Sequence, residues 1–141
     1  MVGKGLKSFL ERESLKLLES YFVASPKPMW EMPQSLRDEL RSAALVIVKG
    51  DLMYRKLVGD CQLPWDTSFK DFISYAPCPL VSLRTLKSPV CIGLAPGKGE
   101  KMQQIDKGWL TTGKYGIIQA VVPSSVERVE VNAGGFEVHL T

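Results

Sequence analysis

Asp51, Arg84, Thr85 and Lys87 are the residues of this chain whose types and placement suggest chemistry. Asp51 follows the apolar run Leu45-Val-Ile-Val48 by way of Lys49 and Gly50, so a buried strand would deliver it at its carboxyl end. In open α/β sheets that edge is where ligands bind. The run Pro79-Leu-Val-Ser-Leu83 repeats the arrangement and leads into Arg84-Thr-Leu-Lys87. A guanidinium can hold phosphate oxygens in a fork, an ammonium adds a point charge, and a carboxylate can accept a hydrogen bond from a hydroxyl. Such a set suits an anionic, hydroxyl-bearing and phosphorylated small molecule. Each residue also has a plainer reading. Asp51 could cap the helix that follows it or support a metal ion. Arg55, one helical turn beyond Asp51, could form a surface ion pair. Arg84 and Lys87 could belong to a solvated basic loop.

The elements that would position these residues can be placed from periodicity. Leu6, Leu10, Leu17 and Tyr21 trace one apolar stripe and predict a helix over Leu6 to Phe22. Ala24 to Pro33, with three prolines and Trp30, reads as an irregular connector. Ser35 is placed to cap a helix over Leu36 to Ala44. Leu45 to Val48 predicts a short strand, and its unbroken apolar character predicts a sheet covered on both faces. A helix over Asp51 to Val58 and another from Trp65 to Ile73, capped near Asp66 or Thr67, come next. Strands are predicted at Leu80 to Leu83, Val90 to Leu94 and Tyr115 to Val122, with helix-compatible Lys101 to Ile105 after a glycine-containing turn. Val126, Val129 and Val131, then Asn132-Ala-Gly-Gly135, then Phe136, Val138 and Leu140, predict a terminal hairpin. The class is α/β with a mostly parallel sheet flanked by helices and a C-terminal β-hairpin. The expected organisation is a helix and proline-rich connector over 1–33, an α/β domain over 34–122, and a hairpin or tail over 123–141.

Composition excludes several classes. The 141 residues fit one domain, and a net charge of +3 from 18 basic and 15 acidic residues, interspersed, lacks the basic stripe that nucleic acid calls for. No run approaches the roughly 18 apolar residues that span a membrane, and Glu11, Arg12 and Glu13 interrupt any signal-peptide core, so a cytoplasmic chain is expected. Cys61, Cys78 and Cys91, with His139 as the single histidine, cannot make a zinc site of the usual spacing; free thiols in a reducing compartment are the expectation. Gly97-Lys98-Gly99 matches neither phosphate-loop fingerprint, and Trp30, Trp65 and Trp109 read as packing residues.

Four segments in register carry a resemblance. Lys49-Gly-Asp-Leu-Met-Tyr-Arg-Lys-Leu-Val-Gly-Asp60, Leu83-Arg-Thr-Leu-Lys87, Gly93-Leu-Ala-Pro-Gly-Lys-Gly-Glu100 and Trp109-Leu-Thr-Thr-Gly-Lys-Tyr-Gly-Ile-Ile-Gln119 together resemble the C-terminal part of the damage-control phosphatases. The branch is the one with an Arg-Thr-x-Lys motif, some of whose members have also been described as glutamate carboxyl methyltransferases. The resemblance implies a phosphatase dependent on manganese, cobalt or nickel that removes small sugar phosphates such as fructose phosphates. It implies that Asp51 contacts the hydroxyl region of the substrate and that Arg84 and Lys87, around Thr85, bind its phosphate. Lys49, Gly50, Tyr54 and Arg55 would support that loop. Met53 stands where the family motif has asparagine. Family members are longer and carry their metal on an upstream Asp-Asn pair and a further Asp. Residues 1–33 hold only Glu11, Glu13, Glu19 and Glu31 as acids, none in such a motif. The expectation is therefore the substrate-binding portion of such an enzyme, without metal ligands of its own. The alternatives are a phosphosugar-binding module without turnover, or an interaction protein whose exposed sheet edge takes a partner chain or a second copy.

Overall fold

The computed structural model describes residues 2–123. The terminal hairpin expected beyond Pro123 lies outside the described residues. In chain order the elements are α1 (Val2–Glu11), α2 (Tyr21–Ala24), a 3-10 turn (Met29–Glu31), α3 (Gln34–Arg41), β1 (Val46–Lys49), α4 (Asp51–Leu57), α5 (Phe69–Phe72), β2 (Leu80–Thr85), α6 (Lys98–Ile105) and β3 (Gly116–Val121). The three strands form one mixed sheet in the order β1-β2-β3. β1 and β2 are parallel, with Lys49 opposite Leu83; β2 and β3 are antiparallel, with Arg84 opposite Ile117.

One face of the sheet is covered by a core with α4 at its centre. Tyr54, Leu57 and Val58 recur at helical spacing on the inner side of α4 and are fully enclosed, as are Ile73 and Ile92. They pack with Val48, Leu80 and Val121 from the strands. A second cluster joins Leu86, Cys91 and Trp109 to Trp65, Met102 and Tyr115. Trp65 and Trp109 meet edge to face at 5.8 Å, and Trp30 meets Phe72 and Tyr75 in the same way, so all three tryptophans pack. Buried Lys56 fastens the connector to α4: its ammonium donates to the carbonyls of Ser25 and Lys27 and lies 4.2 Å from the centre of the Phe22 ring.

Five expectations need correction. The helix expected from Trp65 to Ile73, capped near Asp66 or Thr67, covers only Phe69–Phe72 and is capped by Ser68, because the Trp65 and Thr67 carbonyls are taken by the amides of Leu94 and Gly93. The first helix stops at Glu11 instead of running to Phe22. Glu13 adopts a left-handed φ of 57°, and the amides of Ser14 and Leu15 both close onto the Phe9 carbonyl. The stripe beyond has no core to bury against, with Tyr21 91% exposed, and packing supplies most of a helix's stability. Ser35 does not cap α3, because the helix begins at Gln34 behind Pro33. Among the described residues the sheet is not covered on both faces: Ile47 and Ile118 are 61% and 76% exposed, and Val81 and Leu83 on that side are half-buried. Val90 to Leu94 is not a strand. Val90, Cys91 and Ile92 are buried, but the segment's polar groups pair with scattered partners: Ile92 N with the Tyr54 hydroxyl, the Ile92 carbonyl with Gln119, Gly93 N with the Thr67 carbonyl and Leu94 N with the Trp65 carbonyl.

Among the described residues no helix is long and apolar enough to cross a membrane. The two sides of the sheet differ in what a side chain contributes to stability. Ile92→Ala is expected to lower unfolding stability by about 2–5 kcal/mol, as large-to-small core changes do. Ile118→Thr is expected to change it by less than about 0.5 kcal/mol, as for an exposed site. Urea unfolding of the two variants checks both values.

Candidate functional site

β1 ends at Lys49, and Gly50 then turns the chain into α4 with φ of 106°, a conformation that a side chain would strain. The Gly50 amide remains tied to the sheet through the Leu83 carbonyl. Asp51 thus starts α4 beside β2, and the parallel register brings it to the same edge as Arg84.

The Asp51 carboxylate is not used as a helix cap. Its Oδ1 accepts hydrogen bonds from Arg84 Nε at 2.8 Å, from the Lys87 backbone amide at 3.1 Å and from Ser88 Oγ at 3.2 Å. Oδ2 carries none of these bonds. Three donors on one oxygen fix the carboxylate and set the turn after β2 directly against it.

Arg84 is enclosed, its side chain 0% exposed. Besides Asp51 it donates to the Val90 carbonyl and, from Nη2, to Ser88 Oγ at 2.8 Å and the Ser88 carbonyl at 3.2 Å. Its guanidinium lies 4.2 Å from the centre of the Tyr54 ring, a cation–π contact made out of water. Tyr54 is held in turn by Ile92, accepting from its amide at 3.1 Å and donating to its carbonyl at 3.3 Å. Burial pushes the Tyr54 phenol up to about 12.

Lys87 and Thr85 point the other way. Both are exposed, and the Lys87 stem runs past Gly113 near the Thr85 methyl: a Cβ on Gly113 would sit 3.9 Å from Lys87 Cε and 4.0 Å from Thr85 Cγ2. Gly113 is fixed there because its amide donates to the Leu86 carbonyl. Lys49 is exposed at the end of β1. The structure therefore brings together Asp51, Arg84 and Lys87, with Thr85 on the same turn and Gly50 and Tyr54 beneath them. Arg55 goes elsewhere: it pairs with Asp60 through Nε and Oδ1 at 2.7 Å, closing the turn after α4. Met53, in place of the motif's asparagine, packs on the main core. Sequence reasoning missed Ser88, which bridges Asp51 and Arg84. A serine in a short loop carries no signal of its own, and only the spacing of four from Arg84 could have drawn notice.

The divalent ion that the resemblance implies does not fit these residues. Among the described residues no three His, Cys, Asp or Glu side chains gather into a metal set. At this edge the Asp51 carboxylate is already engaged by a guanidinium, whereas manganese-like ions ask for several free oxygen or nitrogen ligands. What the arrangement presents at the surface is the exposed Lys87 on a turn held against the Asp51 carboxylate.

The class this defines, an α/β domain with a basic turn and an aspartate at a parallel strand edge, agrees with comparison of the sequence with known proteins. Residues 1–102 match the damage-control phosphatase ARMT1-like domain. The chain belongs to that family. It is 46% identical over 102 residues to damage-control phosphatase ARMT1 of Rattus norvegicus, covering 70% of this chain and 23% of the rat protein. The Homo sapiens protein of the same name is 42% identical over 102 residues, with the same coverage. That of Xenopus tropicalis is 39% identical over 123 residues, covering 83% of this chain and 28% of its own. The chain thus spans about a quarter of the length of these relatives. The matched region includes Asp51 and Arg84-Thr-Leu-Lys87.

Two outcomes are expected from this geometry. Asp51→Ala leaves a buried guanidinium without its counter-charge and is expected to lower stability by about 3–5 kcal/mol. Lys87→Ala, at an exposed position, is expected to change stability by less than about 0.5 kcal/mol, and chemical denaturation checks both. The Tyr54 phenol ionises at higher pH in the folded chain than in the unfolded one, so its protonated form favours folding. Its contribution is complete below pH 10 and is lost as pH rises toward about 12. Stability followed across that window should fall more for the native chain than for Tyr54→Phe.

Proposed function

We propose that this chain is the substrate-binding portion of a damage-control phosphatase domain and receives a small sugar phosphate, such as a fructose phosphate, at the strand edge of Asp51 and Lys87. The observation that carries this reading is the hydrogen bond from the Lys87 amide to Asp51 Oδ1, which fixes the turn bearing an exposed lysine against the carboxylate at one strand edge. The Lys87 ammonium meets the phosphate, and the Thr85 hydroxyl adds a donor next to it. Asp51 Oδ2 accepts from a sugar hydroxyl. Manganese, cobalt or nickel would serve the complete domain and supply the charge that stabilises phosphoryl transfer, held by residues other than the described ones. On this reading the chain alone binds and does not turn over. A cytoplasmic setting belongs to the same proposal and agrees with the free thiols at Cys61, Cys78 and Cys91.

Calorimetric titration with fructose 1-phosphate tests the binding, and Lys87→Ala is expected to weaken it at least tenfold. Phosphate release from the same ester, with each of the three metals added, tests the turnover. Metal-dependent release that disappears in Asp51→Ala would contradict the binding-only reading.

A second reading rests on the open side of the sheet, where Ile47 and Ile118 are exposed around half-buried Val81 and Leu83. There the chain would take a partner or a second copy of itself. Sedimentation that shows a monomer at all concentrations, unchanged by Ile118→Asp, would remove the second copy from consideration.

A further inference from the structure

The Arg-Thr-x-Lys segment has two cations three residues apart, and the fold sends them in opposite directions. β2 alternates, so Leu80, Ser82 and Arg84 share its buried face. The chain leaves the strand at Thr85, Leu86 enters the second core cluster, and Lys87 emerges exposed. A phosphate approaching from solvent therefore meets Lys87. To reach Arg84 it would have to displace Asp51, Ser88 and the Val90 carbonyl from a guanidinium whose flat face is closed by Tyr54. The buried Val90 carbonyl would lose its partner, and Asp51 and Ser88 would lose the guanidinium that they share, which is the expensive outcome for polar atoms.

We propose that Arg84 is a positioning residue and not a ligand of the phosphate. It fixes Oδ1 of Asp51, that oxygen fixes the backbone amide of Lys87, and Lys87 alone of the two cations meets the anion. Oδ2 of Asp51 is thereby turned to the ligand's hydroxyl. The inference rests on the reading of this edge as a phosphosugar site, but its structural half concerns the chain without ligand. Ser88 belongs to the same device, since its hydroxyl accepts from Arg84 and donates to Asp51. The arrangement also explains why the motif needs arginine at its first place. One planar group reaches a carboxylate, a carbonyl and a hydroxyl in fixed directions, which a lysine ammonium at the end of a flexible stem does not reproduce.

The test uses the full 141-residue chain and two readouts. The first is hydrogen exchange of the Lys87 amide, measured by NMR without ligand. Arg84→Lys is expected to speed it at least tenfold while the Leu86 amide, bonded to the Tyr115 carbonyl, keeps its native rate. The second is affinity for inorganic phosphate. Lys87→Gln is expected to weaken it at least tenfold, and Arg84→Lys by less than threefold. Native exchange at Lys87 in folded Arg84→Lys would overturn the proposal, as would a loss of phosphate affinity equal to that of Lys87→Gln. Should Arg84→Lys fail to fold, Ser88→Ala decides: faster exchange at Lys87 supports the proposal, and an unchanged rate overturns it. If the native chain binds no phosphate, the phosphosugar reading fails, while the exchange measurement still decides what Arg84 does.

Discussion

The ion pair between Asp51 and Arg84 joins the carboxyl ends of two parallel strands, and the rest of the site follows from it. A guanidinium at 0% exposure is tolerable only with its charge and its N–H groups answered, and the chain answers with Asp51, Ser88 and the Val90 carbonyl. Those partners come from both sides of β2 in sequence, so the pair fixes α4 relative to the 86–90 loop. Tyr54 stacks on the guanidinium from α4, and its hydroxyl pairs with both polar groups of Ile92, which anchors the segment after that loop. One buried cation thus organises three separate stretches of chain, and the exposed turn carrying Thr85 and Lys87 inherits its position from them.

The same constraint underlies the proposal that this edge receives an anion with hydroxyls. Lys87 contributes charge at the surface, and Asp51 contributes an acceptor whose orientation is set from behind. A divalent ion finds no donor set here among the described residues. The relatives named ARMT1 are about four times as long as the matched stretch, and among the described residues the sheet has an exposed apolar side at Ile47 and Ile118. On the proposed reading, the Asp51 edge and this exposed apolar face belong to one portion of a larger α/β domain.

Much of this was legible in the residues. Continuous apolar runs that end in polar triplets located β1 and β2 to within two residues, and the glycine between Lys49 and Asp51 marked the turn that delivers the carboxylate. The shared strand edge that the spacing implied does set Arg84 and the Lys87 backbone against Asp51. The direction in which Arg84 points was not legible, because a strand's two faces look alike until the core is known to lie on only one of them. Continuous hydrophobicity suggested two covered faces, and the exposed Ile47 shows why that signal misled: apolar character records a tendency to be covered, not the presence of a cover. The stripe from Leu6 to Tyr21 failed for the same reason. Val90 to Leu94 looked like a strand because its first three residues are buried, but its polar groups pair with Arg84, Tyr54, Gln119, Thr67 and Trp65. Nothing local in the sequence records such partners.

The most direct test of the account is an amide NMR map of fructose 1-phosphate titrated into the native chain. The account predicts perturbations centred on Gly50, Asp51, Thr85, Lys87 and Gly113, the backbone that surrounds the exposed ammonium and the fixed carboxylate. Saturable changes elsewhere with these amides unmoved, or no saturable change at all, would contradict it.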